Sequence, residues 1–233
     1  MGYNLSLLDH ESEEVDVTSE SIEKILEDCK QELGLSGKYN LPHIKPRVVS
    51  DLMTMGASYV PSGKSIHSSP IVSEHVLFHE LIHYLMDEEG LLINELLNPD
   101  NSYLVDYLCA HLIDETIAEL ATSNVFPYGT ENDLVYSQNP LTDEINRVQA
   151  DYLEGKEDLQ DEKLDEAILN LCPSPFNNVN YREAVRVVAI NNAIKLRENE
   201  LSSSDIVTKL RESRKESSEP HELYFKAIVD CLE

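Results

Sequence analysis

The sequence predicts an α+β fold, mostly helical, with one small sheet placed ahead of a buried helix. Three observations carry this. Apolar residues recur three and four apart through much of the chain, the period of helices that bury one face. Two short runs on either side of Pro61-Ser62-Gly63 read as strands joined in a hairpin. Beyond residue 130, segments 141–155, 159–171, 180–199, 203–216 and 220–232 all read as helices separated by short polar or proline-bearing breaks, with no repeat among them.

Taken in order, residues 1–18 are polar and acidic, and are expected to be loosely held. Over 19–33 the positions Ile22, Ile25, Leu26, Cys29 and Leu33 form one apolar face, and Gly34 and Gly37 end the helix. Pro42 and Pro46 punctuate a loop, and Arg47-Val-Val-Ser begins extended structure. Residues 53–60 and 64–72 are the two hairpin strands, and by position Ser65-Ile66-His67-Ser68 is the edge of the sheet, with His67 exposed. Ser73 is placed to cap the helix that follows. That helix, 76–86, is apolar or Tyr at every position except three, which is the composition of a helix buried on nearly all sides. Residues 87–90 end it, 91–97 form a short apolar helix or turn, and the turn Asn98-Pro99-Asp100-Asn101 leads into a second long helix over 103–126. Among the later segments, Asn180 with Glu183 reads as a capping pair, and Ser-Ser-Ser-Asp at 202–205 as another helix start. The expected organisation is a core with its N-terminal helix over 1–130 and a helical C-terminal region, 131–233, packing on it.

Composition narrows the functional classes. With 44 acidic residues against 18 basic ones, a formal charge of −26 spread along the chain, clustered cations for phosphate contacts are lacking and nucleic-acid binding is disfavoured. The charge reads as a general surface adaptation of the kind that suits a salty cytoplasm, or as one that favours basic partners. No apolar run approaches the span of a membrane helix, and the N-terminus lacks a basic region followed by an apolar one, so neither a membrane span nor a secretory signal is expected. Cys29, Cys109, Cys172 and Cys231 are widely scattered with no paired spacing. A reducing compartment, the cytoplasm, is the expectation.

The three polar exceptions in the buried helix are His79, Glu80 and His83, which make His-Glu-x-x-His. Histidines four apart lie one turn apart on one helix face, so both imidazoles can reach a single Zn²⁺, with Glu80 beside them. Buried imidazole and carboxylate groups need partners, and a cation satisfies all three together. The alternative is a buried His-Glu hydrogen-bonded pair with no metal. A third ligand is sought on the second long helix, where Glu115 and Glu119 are four apart, so one can bind the metal while the other receives the second ring N–H of a ligating histidine. His111, one turn before Glu115, ranks behind it. His75 reads as structural, since it stands about 12 Å along the axis from His83. His221-Glu222 repeats two letters of the motif without the second His, and reads as decoration of a helix start.

His79-Glu80-x-x-His83 followed by a helix carrying Glu115-x-x-Ala118-Glu119 resembles the gluzincin zinc metallopeptidases. The resemblance covers residues 55–127 and implies a zincin-like core, with His79, His83 and Glu115 as zinc ligands and Glu119 as the carboxylate behind a ligand, where the family more often has Asp. It implies Glu80 as general base, peptide or protein as substrate, and an edge strand that pairs with extended substrate. Tyr128, Tyr136, Tyr181 and His221 are all open as donors to the oxyanion, and Tyr84 reads as core. Oligomeric state and specificity have no signature. The alternative function is a non-catalytic zincin-like regulatory or binding module, whose metal site is structural or vestigial.

Overall fold

The computed structural model describes residues 13–46, 56–91, 104–127, 139–155 and 179–232. Expectations for 47–55, the 91–97 turn beyond Leu91, the 98–101 turn, Tyr128, Tyr136, the 159–171 helix and Cys172 lie outside these residues. The fold is mostly helical with small sheets, the α+β class. Two compact units comprise Met1–Leu91 with Ala121–Gly129, and Leu92–Leu120 with Thr130–Glu233. No described helix is long and apolar enough to cross a membrane.

The first unit opens with β1 (Glu14–Asp16) and α1 (Ser19–Glu32). Thr18 caps α1 reciprocally with Ser21: the Thr18 hydroxyl accepts from the Ser21 N–H at 3.2 Å and the Thr18 N–H donates to Ser21 Oγ at 3.0 Å. The face Ile22, Ile25, Leu26 and Cys29 is buried, and Gly34 leaves the helix at φ +64°, a left-handed turn open to glycine at little cost. This face packs on α2 (Glu74–Glu88), where the Cys29 thiol meets the Phe78 carbonyl at 3.6 Å and burial pushes its pKa well up.

Strands β2 (His43–Pro46), β3 (Ala57–Val60) and β4 (Ser65–Ser68) form one mixed sheet in the order β2-β4-β3. β3 and β4 are the expected hairpin, turned by a 3₁₀ segment at Pro61–Gly63 with Lys64 at φ +43°. Several expectations are corrected here. β4 is the central strand rather than the edge, because β2 pairs with it in parallel, His43 opposite Ser65, out of a stretch that reads as a loop. β2 is exposed along its length and ends in Pro46, a residue an edge strand tolerates. His67 is therefore half-buried rather than exposed. The single strand expected over 64–72 is two, since after Ser69-Pro70 the chain leaves the sheet and β5 (Ile71–Ser73) pairs antiparallel with β1, which orders part of the segment expected to be loose.

Ser73 does occupy the N-cap of α2, but its side chain makes no capping bond; the Glu74 N–H donates instead to the Glu13 carbonyl at 2.9 Å. At the other end of α2, Tyr39 donates to Glu89 at 2.5 Å and Tyr84 to the Asn40 carbonyl at 2.5 Å.

The second unit holds α3 (Leu104–Val125) as far as Leu120, then α4 (Pro140–Leu153), α5 (Val179–Glu198), α6 (Ser203–Ser213), α7 (Pro220–Ala227) and a 3₁₀ turn, Val229–Cys231. Ser202 caps α6 reciprocally with Asp205, as read from the sequence. Asn180 does not cap α5, which already begins at Val179. The expected helix over 220–232 stops at Ala227, and its last turn tightens to 3₁₀. α4 packs on α5 and α6 on α7. Buried among them, Gln149 of α4 and Asn192 of α5 both donate to the Tyr224 hydroxyl oxygen of α7, at 2.5 and 3.0 Å, and Gln149 donates to Asn192 Oδ1 at 3.2 Å.

Tyr152 stacks on Phe225 with ring centroids 4.4 Å apart. Burial, then a hydrogen bond to Asp230, raises its pKa from 10.0 to about 12. The folded value lies above the unfolded one, so its contribution to stability is whole below pH 10.0 and is lost as pH rises to about 12. Urea midpoints measured across that window should fall for the wild type and fall less for Tyr152→Phe; equal slopes would refute the assignment.

Candidate metal centre

Helix α2 buries Val76, Leu77, Phe78, Leu81, Ile82, Leu85 and Met86, and Phe78 meets the Phe126 ring edge-on at 5.7 Å. So many apolar contacts fix the rotation of the helix about its axis. His79 and Glu80 are left half-buried, with His83 nearly enclosed at 9% exposure. His75 lies edge-on to Phe126 at 6.4 Å, in keeping with a packing role.

His79 and His83 turn their rings toward each other, with centroids 4.8 Å apart and Nε2 atoms 3.1 Å apart. A tetrahedral zinc with bonds of about 2.0–2.1 Å holds two nitrogens about 3.3 to 3.4 Å from each other. The pair thus stands within a few tenths of an ångström of a ligating geometry, and the donor set fits zinc. Glu80 Oε2 accepts a hydrogen bond from the Tyr59 N–H of β3 at 2.5 Å.

The carboxylates of α3 are not a solvated face. Glu119 is 5% exposed and has the Arg186 guanidinium of α5 beside it, Nε at 3.9 Å, while Glu115 is half-buried. His111 Nδ1 is 3.0 Å from the Tyr181 hydroxyl, also of α5, and the rings meet edge-on at 5.8 Å. Tyr181 is itself buried, so of the oxyanion-donor candidates among the described residues it is the one tied to His111. His221, in the first turn of α7, places Nδ1 2.9 Å from Oδ1 of Asp106, a carboxylate only 3% exposed in the first turn of α3.

Among the described residues, Asp106, Glu219 and His221, all of the second unit, form a group that could hold a metal ion, whereas His79 and His83 belong to the first unit and Glu115 to the second. Three features of these surroundings have no local sequence signal. The Tyr59 amide is a backbone group, and Arg186 and His221 are brought to their carboxylates by helix packing. A lone buried Asp at the start of an apolar helix is the one hint that a distant partner exists for Asp106.

Removing the partner of a buried carboxylate leaves its desolvation uncompensated, at about 1–3 kcal/mol. His221→Ala should therefore lower the unfolding free energy by that amount in urea at neutral pH, and Glu222→Ala, exposed one residue on, should leave it unchanged; equal effects would refute the role of the pair. No family model, curated protein or solved structure matches the chain.

Proposed function

We propose that this chain is a zinc-dependent metallopeptidase of gluzincin type, with a zincin-like core, that hydrolyses peptide bonds in peptide or protein substrates. The observation that carries the reading is the facing pair of Nε2 atoms, His79 and His83, 3.1 Å apart on a helix whose rotation is fixed by its apolar residues.

In this reading His79 and His83 hold the ion through Nε2, Glu115 is the third ligand, and Glu119 is the carboxylate that receives a ligand's other ring N–H. Arg186 stands beside Glu119 within the helical unit, its Nε 3.9 Å from the carboxylate. Zinc, when bound, supplies a Lewis acid that polarises a carbonyl and makes water more acidic. Glu80 does the proton work: its carboxylate takes a proton from the attacking water and returns it to the leaving amine. Burial of the surrounding α2 residues keeps the carboxylate in a partly desolvated setting, where its charge is felt strongly. Glu115 is an anionic ligand and leaves water less acidic than three neutral imidazoles would, which gives a separate base its use.

Zinc per chain, read by elemental mass spectrometry, tests the ligand set. The wild type should carry one equivalent, with loss in His79→Ala, His83→Ala and Glu115→Ala and retention in His111→Ala. Loss in His111→Ala with retention in Glu115→Ala would replace the third ligand. Glu80→Gln should keep its zinc and lower turnover of a fluorescence-quenched peptide mixture by at least about 10²-fold. A wild type that takes up no zinc after loading would overturn the reading in favour of a binding module.

A further inference from the structure

The contact between Glu80 and strand β3 uses a main-chain donor, and the register of the hairpin shows that this donor is spare. The Ser69 N–H bonds to the Gly56 carbonyl at 2.9 Å, and pairs then alternate along the antiparallel ladder: Ser58 with His67 and Val60 with Ser65 exchange hydrogen bonds, whereas Ala57 with Ser68 and Tyr59 with Ile66 do not. The amide and carbonyl of Tyr59 therefore point away from β4, on the outer edge of a sheet whose order is β2-β4-β3. Glu80 Oε2 takes that outward N–H at 2.5 Å. The Tyr59 side chain ties the same residue to α2 a second time, since its hydroxyl donates to Asp87 and its ring lies edge-on to Tyr84 at 5.9 Å. Glu80 and Asp87 are seven apart, two turns or about 10 Å along one helix face, so a single strand residue is clamped to α2 at both ends of that span.

From this geometry we infer that the backbone N–H of Tyr59 is the positioning group for Glu80, holding one carboxylate oxygen so that the other carries the proton in the reaction. The inference rests on the reading of Glu80 as general base. A glutamate has three side-chain torsions, and an unanchored carboxylate on a half-buried helix face samples several of them. A main-chain donor fixed by a sheet removes that freedom without adding a second titrating group. The assignment is to the amide rather than the phenol, because the phenol reaches Asp87, two turns away from the base. It also gives β3 a role that does not require it to touch substrate.

Two variants separate the parts. Tyr59→Phe removes the phenol and keeps the amide, while Tyr59→Pro removes both, at an outward edge position where the ladder loses no hydrogen bond. With zinc content equal in both, kcat of the Pro variant should fall about 10- to 100-fold below that of the Phe variant with KM the same, the size expected when a catalytic group is misplaced by about an ångström. A purely structural edge contact would lower the folded fraction and leave kcat per folded, zinc-loaded chain equal in the two, and that result would overturn the inference. Should the Pro variant not fold, the amide proton of Tyr59 in zinc-free protein provides the second reading. It should move strongly upfield in Glu80→Ala and stay in place in Asp87→Ala; a Tyr59 amide insensitive to Glu80 would overturn the inference. A wild type without zinc or turnover overturns the peptidase reading instead, and the amide shift then still reports whether the contact exists.

Discussion

The structure depends first on the burial of α2. Its apolar positions leave one narrow strip in which polar atoms can stand, and His79, Glu80 and His83 occupy it. Because a buried helix cannot rotate without exposing large side chains to water, at roughly 1.5–3 kcal/mol each, the packing of Leu77, Phe78, Leu81, Ile82 and Leu85 also aims the imidazoles. Preorganisation of the two nitrogens is thus a by-product of core formation. The tyrosine contacts at Asn40, Asp87 and Glu89 act in the same direction, since they fix the C-terminal turns of α2 to strand and loop.

What was legible in the sequence follows from the range of the interactions involved. α1, α2 and α3 are local patterns, and so is the Pro61–Gly63 hairpin, whose turn chemistry is written in adjacent residues. The His79 and His83 pair is local too, because helical spacing alone places them on one face. β2 was not legible: a parallel edge strand has no alternating pattern, since it is exposed throughout, and its pairing with β4 is decided by residues more than twenty positions away. The same reason hides the central position of β4. Ser73 shows a subtler limit, in that the residue type for a cap is present while a backbone carbonyl from Glu13 performs the task.

The polar partners divide in the same manner. Reciprocal caps at Thr18 and Ser202 involve groups three residues apart. Partners of buried charges come from far along the chain, Arg186 to Glu119 and His221 to Asp106, because only tertiary packing brings a counter-group to a site that local structure has desolvated. The sequence shows the need for a partner without showing its identity. For an acidic chain this matters, since most carboxylates need only water and the few that do not stand out by burial alone.

The Gln149, Asn192 and Tyr224 cluster has a consequence for the second unit. One phenol oxygen accepts from two amide groups on two other helices, so α4, α5 and α7 are registered against one another through a single atom. An apolar interface among three helices tolerates sliding, because a leucine finds another hollow one turn away. A shared polar atom does not, since a slip of one turn would strand two buried amide donors and a hydroxyl at once. The cluster acts as an index pin: it selects one alignment out of several that hydrophobic packing would accept.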